Sequence, residues 1–135
     1  MNVERNFPNT RPVLVVVVDD DAAVRNSLKF SLETEGYAVR PYASAEDLLN
    51  APKFEDCACY IIDQRMPGMN GLELIARLRE RHISAPVILV TTNPNAMVKE
   101  RAKQANIRIV EKPLLGNVLV ENIRAACEGH NGSFH

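Results

Sequence analysis

Runs of consecutive apolar residues, several of which lead into acidic residues, constrain the fold of this chain more than any other feature. The longest run covers residues 13–18, reads Val-Leu-Val-Val-Val-Val, and leads directly into Asp19 and Asp20. A strand that is apolar at every position has both faces buried, as in a parallel sheet covered by helices on both sides. Four further candidate strands follow along the chain, at 37–42, Cys59–Asp63, Val87–Thr91 and 107–110. The chain therefore predicts a five-stranded parallel sheet.

Helical patterns fill the segments between these strands. Asp20 or Asp21 can cap a first helix, which Gly36 ends, and Ser44 can cap a second, which Pro52 closes. The core-facing stripe of the first helix is expected to hold Val24, Leu28, Ser31 and Leu32. Further helices are expected at 72–78 and 96–105, with Asn106 in a left-handed conformation after the latter. The last helix is expected to carry Leu115, Leu119, Ile123 and Cys127 at spacings of four.

Right-handed crossovers leave few ways to assemble five strand–helix units. We expect an α/β fold with a doubly wound, five-stranded parallel sheet in the order 2-1-3-4-5 and helices on both faces. This is a flavodoxin-like three-layer sandwich, and the strand order rests partly on analogy with that class of fold. We expect one domain over residues 12–128, with flexible tails at 1–11 and 129–135.

The composition narrows the classes of function. A net charge of −1 lacks the basic excess of a nucleic-acid-binding surface, so direct binding of nucleic acid is not expected. No apolar run approaches the length of a membrane span, and the first twelve residues lack the apolar core of a signal peptide. We therefore expect a soluble, cytoplasmic protein without membrane contact. The spacing of Cys57, Cys59 and Cys127 does not suit a metal site, and buried reduced thiols are expected.

Charged side chains follow three of the predicted strands. Asp19 and Asp20 follow the first, Asp63 ends the third, and Lys112 follows the fifth. Functional groups of open α/β sheets lie at the carboxyl ends of the strands, so these four side chains are expected to converge there. Three carboxylates in one place repel one another unless a cation lies among them. Oxygen ligands of this kind suit Mg²⁺, which we predict as the cofactor.

The loop after the third strand matches a known motif. Its sequence, Asp-Gln-Arg-Met-Pro-Gly-Met-Asn-Gly over residues 63–71, fits the pattern D-x-x-M-P-x-x-[DN]-G. With this loop and the charged residues above, the chain from about Val13 to about Glu128 resembles the receiver domain of bacterial two-component response regulators. In receivers, the aspartate that opens this loop accepts a phosphoryl group, so the resemblance implies Asp63 as the phosphoacceptor.

The resemblance also implies roles for the neighbouring residues. Asp19, Asp20 and Asp63 would hold Mg²⁺ together with the backbone carbonyl of Arg65. Lys112 and the hydroxyl of Thr91 would contact two of the phosphoryl oxygens. Receivers are signalling proteins rather than enzymes with an external substrate, although they assist their own phosphorylation and dephosphorylation. The expected partner is a sensor histidine kinase or a histidine phosphotransfer protein.

Several alternatives remain open from the sequence. We expect a stand-alone receiver that controls a downstream protein. Residues 19–49 are most like receivers of nitrogen-fixation regulators of the LuxR-helix type, so the alternative is that the chain is the N-terminal piece of a DNA-binding regulator. Ile109 occupies the position of the aromatic residue that receivers usually carry on the fifth strand, which favours a phosphorylation-independent binding module. Such a module would use the face of helix 4, strand 5 and helix 5, through which a homodimer could also form. A phosphatase or flavodoxin-like enzyme is disfavoured because no phosphate-cradling glycine loop is present.

Overall fold

A computed structural model of the protein describes residues 13–51, 57–114 and 116–132. Strands and helices alternate along the chain. The strands are β1 (Leu14–Val18), β2 (Ala38–Tyr42), β3 (Cys59–Asp63), β4 (Val87–Thr91) and β5 (Arg108–Glu111). The helices are α1 (Ala22–Thr34), α2 (Ala45–Leu49), α3 (Gly71–Glu80), α4 (Ala96–Gln104) and α5 (Val118–Gly132).

The five strands form one parallel sheet in the order β2-β1-β3-β4-β5, which confirms the predicted order 2-1-3-4-5. The register places Val18 beside Ile62 and Asp63 beside Val90. It also pairs Thr91 with Glu111, the last residue of β5. The carboxyl ends of the three inner strands and of β5 therefore meet along one edge, where the predicted charged residues lie.

Two apolar layers cover the sheet, one on each face, because alternate residues of a strand point to opposite sides. Val16 and Ile62 face a core with α2, α3 and α4, whereas Val17 and Ile61 face a core with α1 and α5. All five residues of β3 and of β4 are buried. This three-layer arrangement confirms the predicted fold class, and it leaves the strand ends as the accessible part of the sheet.

Most predicted boundaries lie within one or two residues of the observed ones, and β3 and β4 agree at both ends. The prediction that Ser31 belongs to the core-facing stripe of α1 is wrong, since Ser31 is exposed. Leu28 and Leu32 are buried and Val24 is half-buried. A stripe centred on these three residues places Ser31 at its margin, where a polar side chain remains in solvent.

The last helix begins later than predicted. It begins at Val118 rather than at Leu115, because Gly116 has a positive φ of 59° that an α-helix does not allow. It continues to Gly132. Leu115, Pro52 (expected to close the second helix), the predicted N-terminal tail and residues 133–135 lie outside the described residues.

Residues that the sequence predicted at the ends of α1 and α4 are found there in the structure. Asp21 caps α1, and its carboxylate accepts hydrogen bonds from the backbone N–H groups of Ala23 and Val24. Of the two candidate residues, Asp21 is therefore the N-cap of α1 and Asp20 is not. Gly36 and Asn106 have positive φ angles of 98° and 60°, as expected after α1 and α4.

None of the three cysteines forms a disulfide. Cys59 is fully buried, as expected, whereas Cys57 and Cys127 are only half-buried. Burial raises the pKa of the Cys59 thiol and that of Cys127, so both favour the unreactive protonated form. Within the described residues, no helix is both long enough and apolar enough to cross a bilayer.

We expect Gly71→Ala to lower the free energy of unfolding by about 1–3 kcal/mol, as overpacking of a tight site does. A Cβ at Gly71 would lie 2.8 Å from the backbone oxygen of Asp63 and 2.7 Å from Cδ1 of Leu89. Urea denaturation measures the change. Gly116→Asn is the control, because no atom lies within 4 Å of a Cβ there and asparagine tolerates positive φ. An equal loss in both variants would contradict the steric argument.

Candidate functional site

Three carboxylates meet at the carboxyl ends of two neighbouring strands. Asp19 and Asp20 follow β1, and Asp63 is the last residue of β3, which pairs with β1. One carboxylate oxygen from each lies within 4.8 Å of the others. Asp19 and Asp63 are only 3% and 6% exposed, whereas Asp20 is open to solvent. The sheet therefore brings together the three acids that the sequence predicted to converge, with one of them facing water.

Lys112 brings a positive charge to this cluster. It follows β5, and its Nζ lies 3.4 Å from Oδ1 of Asp63 and 3.9 Å from Oδ2 of Asp19. The ammonium reaches across the end of β4, since β4 lies between β3 and β5. Its backbone N–H donates to the carbonyl of Thr91 at 2.8 Å, which fixes the start of the side chain. Three carboxylates and one ammonium leave a net charge of −2 when all four groups are ionised.

Burial and mutual repulsion act on the two inner acids. Burial raises the pKa of Asp63, the Asp19 charge raises it further, and the Lys112 ammonium opposes both. Burial also raises the pKa of Asp19, against the hydrogen bond from the Asp21 backbone and the charge of Lys112. The single ammonium thus compensates only part of the cost of two buried carboxylates. A further cation among the three acids would lower both pKa values.

Hydrogen bonds fix the backbone N–H, the backbone carbonyl and one carboxylate oxygen of Asp19. Its N–H donates to the carbonyl of Tyr42 at 3.2 Å, and Nη1 of Arg25 donates to its carbonyl oxygen at 2.8 Å. Its side-chain Oδ1 accepts from the N–H of Asp21 at 2.9 Å, which leaves Oδ2 directed toward Lys112. These bonds fix the carboxylate before any ligand binds.

The remaining predicted residues lie at the same edge of the sheet. Thr91 is buried at the end of β4, one residue beyond the pair formed by Asp63 and Val90. Arg65 lies two residues past Asp63, in the loop between β3 and α3, with its side chain exposed. The carbonyl of Gln64 accepts from the N–H of Gly71, and its side-chain oxygen accepts from the N–H of Leu72 at 3.0 Å. The loop that carries Arg65 is therefore closed at its base.

Sequence reasoning missed two residues that support this site. Arg25, in the first turns of α1, holds the Asp19 carbonyl, and Glu46 of α2 accepts a hydrogen bond from the N–H of Met69 at 3.3 Å. The carboxylate of Glu46 also fills the space beside Gly68, where a Cβ would lie 3.0 Å from Oε2. A match to the loop motif gives no signal for Glu46, because its partner lies 23 residues away.

The fold and the acidic edge together define the class of protein. A family model described as the response regulator receiver domain matches residues 15–124, and the chain belongs to this family. The resemblance found in the loop motif is therefore confirmed.

One curated protein and two solved structures are similar to most of this chain. The chain is 38% identical over 121 residues to the transcriptional regulatory protein FixJ of Azorhizobium caulinodans, covering 89% of this chain and 56% of that protein. The crystal structure of FixJ-N is 35% identical, with a TM-score of 0.78 over 88% of this chain and 96% of that one. A CheY-like receiver domain protein from Methanospirillum hungatei is 26% identical, with a TM-score of 0.83 over 91% of this chain and 99% of that one. The chain spans about half the length of the curated relatives it matches.

We expect Asp63→Asn to raise the free energy of unfolding of the metal-free protein near neutral pH. The pKa of Asp63 is raised in the folded protein, so folding favours the protonated carboxyl. The wild type is therefore most stable, as far as this group is concerned, below the unfolded pKa of about 3.9. Its free energy of unfolding falls as the pH rises through the folded pKa. The advantage of the variant should therefore shrink as the pH falls. Urea denaturation in EDTA from pH 4 to pH 8 measures it.

The exposed Asp20→Asn is the matched control, and its effect should be smaller because a carboxylate in solvent loses little hydration on folding. A less stable Asp63→Asn protein at neutral pH would contradict the argument, because it would mean that the pairing with Lys112 outweighs burial.

Proposed function

We propose that this receiver domain acts in a two-component phosphorelay, with Asp63 as the phosphoacceptor. The observation that carries the proposal is the cluster of Asp19, Asp20 and Asp63, within 4.8 Å of one another and beside the Lys112 ammonium. A carboxylate oxygen of Asp63 attacks the phosphorus of a phosphohistidine. The P–N bond then breaks, and its electron pair returns to the imidazole. The chain acts as a signalling phosphoacceptor, not as an enzyme with an external substrate.

The donor set fits a Mg²⁺ ion. All three side chains offer carboxylate oxygens, and the net charge of −2 around them matches a divalent cation. Asp20 and Asp63 would bind the ion, Asp19 would bind it through water, and the backbone carbonyl of Arg65 would supply a further oxygen. When bound, the ion neutralises the repulsion between the acidic pocket and an incoming phosphate dianion.

Lys112 and Thr91 would then fix the transferred group. The Lys112 ammonium already lies 3.4 Å from Asp63, close enough to contact a phosphoryl oxygen on that carboxylate. The Thr91 hydroxyl, on the strand between those of Asp63 and Lys112, would donate to a second oxygen. Burial around Asp63 limits the approach of water to the acyl phosphate.

The signal would leave the site through the loop at residues 92–95 and through α4. Thr91 leads into this loop, in which Asn93 has a positive φ of 46° and Asn95 caps α4. A phosphoryl group adds about −1.5 to −2 charges by analogy with other phosphorylated side chains, and a Thr91 hydroxyl drawn to it would pull on the loop. Ile109 is half-buried against the core on the side of α4, in the position of the usual aromatic residue. We infer that α4 and its loop change their equilibrium position without an aromatic switch.

The partners follow from the proposed chemistry. A sensor histidine kinase or a histidine phosphotransfer protein would supply the phosphoryl group. Control of transcription is a second candidate for the output, because the similar FixJ proteins are named transcriptional regulatory proteins and extend beyond the region matched here. Free cysteines suit a reducing compartment, and we propose the cytoplasm.

We expect the protein, incubated with Mg²⁺ and acetyl phosphate, to gain the mass of one phosphoryl group. Asp63→Asn should gain none, because an amide is not a nucleophile at neutral pH, and EDTA should abolish the gain in the wild type. Intact-mass spectrometry provides the measurement. Absence of a gain in the wild type, with Mg²⁺ binding shown separately by titration, would contradict phosphorylation and favour a phosphorylation-independent binding module.

We expect phosphorylation to move the amide chemical shifts of residues 91–105, because these residues connect Thr91 to α4. Heteronuclear NMR of the protein with and without acetyl phosphate, in Mg²⁺, measures the shifts. Amides of residues 28–34, in the later turns of α1 on the opposite face of the sheet from α4, provide the internal control. Shifts confined to residues 63–71 would contradict the proposed route through α4.

A further inference from the structure

A cavity lies at the opposite end of the sheet from Asp63. It has a volume of about 750 Å³ and is lined by residues at the starts of β4 and β5, at the end of α3, along α4 and in the middle of α5. Val87 lines it, and Thr91 lies four residues further along the same strand, so the cavity is about 13 Å from the acidic edge. None of the lining residues takes part in the proposed phosphoryl transfer, although those of α4 and Ile109 belong to the region through which the signal is proposed to leave.

The charged side chains around this cavity are all basic. They are Arg79, Lys99, Lys103 and Arg108, and no acidic residue is among the lining residues that the structure describes. None of the four forms an ion pair with another described residue. In a chain whose net charge is −1, this concentration of positive charge needs a cause other than overall composition.

Arg79 is the most constrained of these cations. Its Nη1 donates to the carbonyls of Ile83 and Ala85 at 2.7 and 3.0 Å, which fixes the guanidinium at the rim. Burial lowers the pKa of Arg79, and the nearby Tyr60 is the group that opposes this effect. Arg79 is exposed at this rim, and no carboxylate of the described residues forms an ion pair with it, so its guanidinium can contact a bound anion.

The floor of the cavity is apolar and made of small side chains. Ala125 of α5 is half-buried and Ala105, the C-cap of α4, is exposed, so both present apolar surface to the cavity, whereas Ala102 and Ala126 lie buried behind its surface. Alanine on both helices leaves open space where larger residues would fill the gap between them. The cavity therefore combines an apolar base with a cationic rim, and its volume lies within the range of about 300–1,000 Å³ found for small-ligand sites.

We propose that this cavity binds a small molecule that carries two or more phosphate groups on an apolar body, such as a nucleotide. The lysines of α4 and the guanidinium of Arg108 bind the phosphates, and the alanine floor contacts the apolar part. Lys99 and Lys103 lie one helical turn apart on α4, so their ammonium groups can contact adjacent phosphates. An acidic protein segment would match the charge, but a cavity with an alanine floor favours a compact ligand with a flat apolar body.

Titration of the isotopically labelled protein with ATP in EDTA, followed by amide chemical shifts, tests the proposal. EDTA keeps Mg²⁺ away from the acidic edge, so Asp63 is not involved in the readout. We expect saturable shifts in residues 102–109 and none in residues 63–71. Adenosine and pyrophosphate, which each provide half of the ligand, should bind at least about tenfold more weakly than ATP.

Charge reversal distinguishes the cavity from general attraction to a basic surface. Lys103→Glu and Arg108→Glu should each weaken ATP binding by about tenfold or more, since each removes a charge-assisted contact and adds a repulsion. Arg101→Glu is the matched control, because Arg101 is also exposed on α4 but does not line the cavity. Its effect should stay within about twofold.

Three results of these titrations would overturn the proposal, and a competition result would do the same. They are the absence of saturable shifts at 10 mM ATP, an equal loss of affinity in Arg101→Glu, and binding of pyrophosphate as tight as that of ATP. Tighter binding of an acidic peptide than of ATP at the same residues would also overturn it, because the cavity would then be a protein-docking surface.

Discussion

The repulsion among Asp19, Asp20 and Asp63 is the constraint on which the rest of this site depends. Two of the three carboxylates are nearly inaccessible to water, and burial raises the pKa of both. The fold accepts this cost because a parallel sheet places the carboxyl ends of β1 and β3 side by side. The Lys112 ammonium reaches the cluster from the far side of β4 and compensates part of the charge. The remaining negative charge suits a divalent cation, and it supports the proposal that Asp63 accepts a phosphoryl group with the help of such an ion.

The two ends of the sheet carry opposite charge. The carboxyl end holds the acidic cluster, and the amino end of β4 and β5 opens into a cavity with a cationic rim. Helix α4 connects the two regions, because its N-terminal cap at Asn95 follows the loop after Thr91 and its later turns carry Lys99 and Lys103. Helix α4 is therefore the element through which the two proposed sites would be coupled.

The sequence predicted the order of the elements, the strand order and the convergence of the three acids with Lys112. It failed at Ser31, where the spacing fitted a helical stripe but the side chain lies at the margin of the buried face. It also failed at the start of α5, where the positive φ of Gly116 delays the helix to Val118. Arg25 and Glu46 could not be found from the sequence, because each bonds a backbone group whose position depends on the packing of a helix against a loop.

The sequence by itself determined the parallel sheet and the residue types at its carboxyl edge. Continuous apolar runs require burial on both faces of the strand. An acidic residue that follows such a strand therefore lies at the carboxyl edge of the sheet. Only the tertiary structure decided the geometry: which aspartate caps α1, how deeply Asp63 is buried, and how close Lys112 comes to it. It alone produced the cationic cavity, whose residues come from five separate elements. Local pattern fixes the period and chemistry of each element, whereas distances between elements arise from packing.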